Sequence, residues 1–207
     1  MIRRAFTLAE IVIAATLALL VLGLAAGYLM PALRASTRSA TRVELDQRAV
    51  IALSRLVREA ESTSPAGLSL RSTDPVCVAV NPLEEVRPNG DLIWSESYVI
   101  FYFDRARGQL LRRQWPPGDP APTPAQTRRS KPKKLTPDEL ADIVSRPAPV
   151  SVLARDVTSF SILQSGDDLL MKMPIRFELV MEKTIAGGRQ QAERVVYSRT
   201  AFTREQR

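Results

Sequence analysis

Glu10 is the residue of this sequence whose chemistry most needs an explanation. It follows two bases, Arg3 and Arg4, and precedes 23 uncharged residues that run from Ile11 to Leu33. A carboxylate beside hydrocarbon is costly unless it is protonated, lies at the interface or meets a cation. The sequence therefore predicts a specific environment for Glu10.

A second group with possible chemistry is a basic cluster far along the chain. Five positive charges fall within seven residues: Arg128, Arg129, Lys131, Lys133 and Lys134. Such a run can bind the phosphates of DNA or acidic lipid by releasing counterions. It can equally be a solvated loop kept open by repulsion, which we favour because no aromatic residue is interleaved for base stacking. Contact with nucleic acid stays as the alternative.

The composition excludes several kinds of site. The chain has no histidine, so a histidine base, triad or metal ligand is absent, and the single cysteine, Cys77, cannot form an intrachain disulfide. We interpret Cys77 as a small buried residue of a strand. The pair Asp167 and Asp168 predicts a turn, since a calcium loop needs further oxygen ligands. We expect no enzyme, no cofactor and no metal, and the net charge of +7 identifies no partner by itself.

The elements that position Glu10 begin with the apolar run. At about 1.5 Å per residue, 23 helical residues cover about 34 Å, enough to cross a hydrocarbon core of about 30 Å. No amphipathic pattern within the run favours a buried core helix. A secretory signal cut near Leu24-Ala25-Ala26 and a plain single-pass anchor both stay open, although neither explains Glu10.

The string from Ala5 to Glu10, Ala-Phe-Thr-Leu-Ala-Glu, resembles the type III signal of type IV prepilins and type II secretion pseudopilins. The resemblance implies that prepilin peptidase cleaves between Ala5 and Phe6 and that Phe6 is N-methylated. It implies assembly with other pilin or pseudopilin subunits on a platform in the inner membrane. There, Glu10 would meet the new amine of Phe6 on a neighbour. The family usually has glycine where this chain has Ala5, so we expect slower processing.

The chain beyond the apolar run predicts one long helix followed by a β-domain, an α+β fold that is pilin-like. We expect a cleaved basic leader at 1–5, a transmembrane or filament-core helix at 6–33 and its amphipathic continuation at 34–62. The expected stripe of the continuation is Val43, Val50, Leu53, Val57 and Ala60. The β-domain spans 66–207 and carries a disordered, proline-rich basic insertion at 116–137.

The β-domain pattern begins with strands at 68–71, 76–80, 97–103 and 109–115, of which Tyr98 to Phe103 is predicted to be central. A capped helix at 136–144 and strands at 157–164, 173–183 and 193–202 follow. The hairpin Phe103-Asp104 to Leu110 resembles J-type minor pseudopilins and W-type minor pilins. This resemblance implies a minor subunit of a pseudopilus, or of a pilus tip or initiation complex. The alternative is a membrane-tethered DNA-uptake component that uses the basic cluster.

The arginines that flank the apolar run do not by themselves predict the orientation of the helix in the membrane. Arg3 and Arg4 favour a cytoplasmic N-terminus, but Arg34, Arg38 and Arg42 follow the span on its other side. The charge count alone is ambiguous or reversed. The signal resemblance favours a single-pass protein of the bacterial inner membrane, with the β-domain on the periplasmic side and incorporated into a filament.

Overall fold

The structure, a computed structural model, describes residues 7–116, 131–168, 171–185 and 191–202. It confirms the predicted α+β class, with one long N-terminal helix and antiparallel sheets. The chain divides into two compact units, Met1–Thr41 and Arg42–Arg207. The buried apolar side chains of the described residues begin at Leu45, so the second unit has a core of its own.

The first element, α1, spans Leu8–Glu61 and confirms the predicted long helix. Pro31 lies inside it and does not end it, because the lost donor is one bond in a ladder that continues on both sides. Beyond Glu61, Ser62 donates its hydroxyl to the Glu59 carbonyl and Pro65 opens a single 3-10 turn. The predicted start at Phe6 lies outside the described residues.

Ten strands and a second helix follow α1 within the described ranges. Three of these strands, β3, β4 and β7, were not predicted. The elements are β1 (Leu68–Arg71), β2 (Cys77–Val80), β3 (Leu83–Val86), β4 (Leu92–Trp94), β5 (Tyr98–Asp104), β6 (Gln109–Trp115), α2 (Pro137–Ser145), β7 (Ser151–Ala154), β8 (Val157–Leu163), β9 (Ile175–Ile185) and β10 (Gln191–Ala201).

The strands form three antiparallel sheets. A five-stranded sheet has the order β1-β2-β5-β6-β7, a three-stranded sheet has the order β10-β9-β8, and β3 pairs with β4. The prediction that β5 is central is confirmed. In β9, the predicted inward face of Ile175, Phe177, Leu179 and Met181 is fully buried.

Both faces of β5 are buried against different partners. Val99, Phe101 and Phe103 belong to a cluster that contains the second half of α1 and part of the three-stranded sheet. Ile100 and Tyr102 belong to a second cluster, which contains Leu140 and Ile143 of α2. Because side chains alternate along a strand, one strand supplies both clusters.

The predicted stripe of α1 is partly wrong. Val43 is 52% exposed and Val50 is half-buried, whereas Leu53, Val57 and Ala60 are buried as expected. The buried face is rotated relative to the prediction, because alanines pack there closely. It consists of Leu45, Ala49, Ala52, Leu53, Leu56, Val57 and Ala60.

Among the described residues, three ion pairs also join α1 to β6, to β9 and to the turn between β7 and β8. Glu44 binds Lys183 of β9 at 2.9 Å, Arg48 lies 3.3 Å from Asp156, and Glu59 lies 3.4 Å from Arg112 of β6. The hydrogen bond from Lys183, together with the charge of Arg48, lowers the pKa of the Glu44 carboxyl. Pairs this exposed contribute little to stability, but they fix which face of the helix meets the sheets.

Helix α2 confirms its predicted cap. The Thr136 hydroxyl accepts from the Glu139 amide, and the Glu139 carboxylate accepts from the Thr136 amide, which is a capping box with Pro137 at the first helical position. The predicted disordered insertion 116–137 is ordered at its C-terminal end, from residue 131 onward, while residues 117–130 lie outside the described residues. Leu135 is buried, and its amide donates to the Ser69 hydroxyl.

Candidate functional site

Glu10 lies in the first turn of α1, where the local sequence gives it a defined position. The Thr7 amide and hydroxyl donate to Oε2 of Glu10 at 2.9 and 3.0 Å, and the Glu10 amide lies 3.3 Å from the Thr7 hydroxyl. This reciprocal pattern is a capping box, which satisfies donors that the helix start leaves without partners. Both contacts from Thr7 use Oε2, so they leave the lone pairs of Oε1 for another donor.

The helix that carries Glu10 presents its apolar side chains outward. The large ones between Leu8 and Leu33 are 54% to 82% exposed, and none of the membrane-length apolar window is buried. By length and composition, this is the single helix of the described residues that can cross a membrane. Exposed apolar surface of this extent needs lipid or other protein to cover it.

Comparison with known proteins gives no family. No protein-family model matches the chain, and searches of curated proteins and of solved structures find no significant match. The arrangement of a long apolar N-terminal helix and an antiparallel β-domain is compatible with a pilin-like fold.

The predicted cleavage and methylation sites, Ala5 and Phe6, lie outside the described residues, next to the Thr7 cap. The basic cluster is described only in part, since Arg128 and Arg129 also lie outside. Of its described members, Lys131, Lys133 and Lys134 are exposed, and Lys133 lies 3.9 Å from a Glu139 carboxylate oxygen.

The described lysines of the basic cluster are thus exposed to solvent, and Lys133 also lies close to acidic residues. Glu96, Glu139 and Asp142 line the same cavity as Lys133. Acids in this position repel phosphate, so the described part of the cluster does not strengthen the nucleic-acid alternative. That alternative stays a prediction.

The acidic pair has a structural partner. Asp168 accepts hydrogen bonds from the Ser72 amide at 2.8 Å and from the Ser72 hydroxyl at 2.6 Å. Within the described ranges, no group of three potential metal-ligating side chains occurs. Asp168 thus ties the segment after β8 to the end of β1.

Cys77 is buried in β2, and the burial raises the pKa of its thiol to about 12. Because only the thiolate reacts readily, we expect the native chain to resist a thiol reagent such as Ellman's at pH 8. The same reagent should modify one thiol per chain after denaturation. Rapid native reaction would show that β2 opens or that Cys77 is accessible.

Sequence reasoning missed Arg113 as a buried cation. It is 2% exposed, although it stands in a strand among other arginines. Its Nη1 donates to three carbonyls at the end of α2, those of Ile143 at 3.0 Å, Val144 at 3.3 Å and Arg146 at 3.0 Å. The signal was the alternation of β6, which places Arg113 on the same face as Leu111.

Proposed function

We propose that this chain is a subunit of a pilin- or pseudopilin-type filament, inserted in the bacterial inner membrane before assembly. The observation that carries the proposal is the position of Glu10. An exposed carboxylate lies in the first turn of a long apolar helix, and that helix continues into the core of a β-domain. In a soluble domain or a simple anchor, this acid would have only its capping role at the helix start.

The chemistry proposed for Glu10 is a pairing with an amine that proteolysis creates. Cleavage between Ala5 and Phe6 would leave the Phe6 ammonium directly before the helix start. An ammonium on one subunit and the Glu10 carboxylate on a neighbour attract strongly in a medium of low dielectric constant. Their desolvation offsets much of this gain, so the pair sets the axial register between helices more than it adds affinity.

The capping box supports this role for Glu10. The two Thr7 hydrogen bonds restrict the rotamers of the acid before any neighbour arrives. A restricted side chain loses less entropy when it binds. In this proposal, the β-domain lies on the periplasmic side and forms the outer surface of the filament, and the class is that of minor subunits of a type II secretion pseudopilus or a type IV pilus.

The mature N-terminus tests the proposal. We expect mass spectrometry of the chain, expressed with a prepilin peptidase, to show an N-methylated Phe6. The same chain expressed without that peptidase is the control and should keep Met1. An N-terminus at or near Gly27 would instead identify a secretory signal, and an intact Met1 in both samples would identify a plain anchor.

A further inference from the structure

The two ends of the five-stranded sheet carry opposite charge. Strand β5 connects them: Tyr98 pairs with Trp115 at one end, and Asp104 pairs with Gln109 at the other. Seven strand residues separate these ends by about 20 Å. The connection that contains β3 and β4 leaves the sheet at the Tyr98 end, whereas the β5–β6 turn lies at the Asp104 end.

The hairpin of β3 and β4 is the acidic end. Glu84, Glu85 and Asp91 are exposed against one base, Arg87, so the hairpin carries two net negative charges. Val86 lies beside the acids and is 61% exposed. A short edge strand with exposed acids and one exposed apolar side chain has the composition of a contact surface with a polar rim.

The opposite end holds a basic cavity of about 870 Å³. Four arginines line it against two aspartates, Asp74 and Asp104, and one of the arginines, Arg146, also pairs with Asp142, which leaves one net positive charge. Exposed apolar surface lies among them, including Ala106 in the β5–β6 turn and Val150, which is 41% exposed. The arginines are Arg105, Arg107, Arg113 and Arg146.

Arg113 contributes a positive charge to this cavity that, in the described ranges, is held by backbone carbonyls and not by a carboxylate. Its Nη1 is held by backbone carbonyls, and its buried Nε and Nη2 have no hydrogen-bond acceptor among the described residues. Within the described part of the chain, no carboxylate pairs with Arg113, whereas Arg107 lies 3.8 Å from Asp104 and Arg146 pairs with Asp142. A buried cation in low dielectric projects its field to the cavity surface more effectively than a solvated one.

We propose that the acidic hairpin of one copy of this chain docks into the arginine cavity of the next. The charges are complementary, each surface carries exposed apolar atoms, and the two surfaces lie at opposite ends of one sheet. A contact between two different surfaces of the same chain is heterologous and can repeat without closing. It belongs to the unit from Arg42 onward, so it depends neither on cleavage at Phe6 nor on the proposed role of Glu10.

Disulfide trapping in the full chain, held in membranes or detergent, tests this contact. Val86→Cys and Ala106→Cys place thiols on the two surfaces without removing a charge, and Cys77 is too buried to interfere. We expect the double variant to give a ladder of dimers, trimers and larger species under mild oxidation. A 1:1 mixture of the single variants should stop at dimers, and each single variant alone should stay monomeric.

A control pair of cysteines and two charge-reversal variants complete the test. Val86→Cys combined with Thr200→Cys, an exposed site in the other sheet, should give no ladder. Glu84→Lys or Arg105→Glu should each reduce ladder yield at least fivefold, about the effect of one like-charge contact, and a mixture of the two should restore part of it. A ladder no stronger than the Thr200 control, dimers from a single variant, or insensitivity to both reversals would overturn the proposal.

Discussion

Replacement of Glu10 by alanine is expected to lower the amount of this subunit recovered in sheared filaments at least about thirtyfold, the effect of removing one partner of a buried charge pair. The physical reason is the neighbour's Phe6 ammonium, which would be left in an apolar environment without a counter-charge. Cleavage itself should be unaffected, because the peptidase acts before subunits meet. Immunoblots of the filament and membrane fractions measure both quantities.

Glu10→Gln separates the charge of this residue from its place in the capping box. Glutamine retains an oxygen that can accept the Thr7 amide, so the helix start stays intact. The charge is lost, so we expect the glutamine variant to fail as the alanine variant does. Normal incorporation of Glu10→Gln would mean that Glu10 acts by capping its own helix, and the proposed intersubunit pair would be wrong.

Arg113→Met is expected to lower the free energy of unfolding of the unit from Arg42 onward by about 3 kcal/mol, because it leaves one buried and two partly buried carbonyls without their donor. Methionine retains much of the apolar stem, so the loss isolates the guanidinium. The substitution also removes the contact of Arg113 with the Trp115 ring, 5.4 Å from the ring centre. Urea unfolding followed by circular dichroism measures the change.

The neighbouring arginine provides the matched control. Arg112 faces the other side of β6, is partly exposed and pairs with Glu59. Arg112→Met should therefore cost less than about 1 kcal/mol. Arg113→Lys should recover part of the loss, since an ammonium can reach one or two of the carbonyls. Equal losses for Arg112→Met and Arg113→Met would show that the carbonyl contacts do not stabilise the fold.

The elements with the strongest local signals are the ones that sequence reasoning located. Helix α1 has a long apolar and then amphipathic run, α2 has a complete cap at Thr136 and Glu139, and β9 alternates over its whole length. In each case, neighbouring residues in the sequence determine the structure. The central position of β5 was also predictable, because its aromatic and branched side chains suit burial on both faces.

The elements that were missed depend on tertiary contacts. Strands β3, β4 and β7 have three or four residues each, too few for a period to be recognised, and β3 contains two adjacent acids. In α1, Ala49 and Ala52 are buried by the approach of the sheets, which no single-residue hydrophobicity reveals. The predicted position of Val43 in the stripe was wrong for the same reason.

The residues of the candidate site also fall into those that the sequence could predict and those that only the folded structure reveals. The start of α1, with Glu10 as its acid, could be located from the sequence because the motif is local. The basic cluster could be found as a charge run, but its neighbours Glu139 and Asp142 meet it only after folding. The alternation of β6 places Arg113 on a buried face, but its partners could not be predicted, since the carbonyls that hold it come from a helix thirty residues further along the chain.

The shared strand β5 has a consequence for how the second unit responds to mechanical tension. A pull on α1 is transmitted through Leu53 and its neighbours to one face of β5, whose other face is attached to α2. Loss of either layer would expose apolar side chains of this one strand to water and weaken its support for the other layer. We therefore expect the second unit to open under tension in one cooperative step.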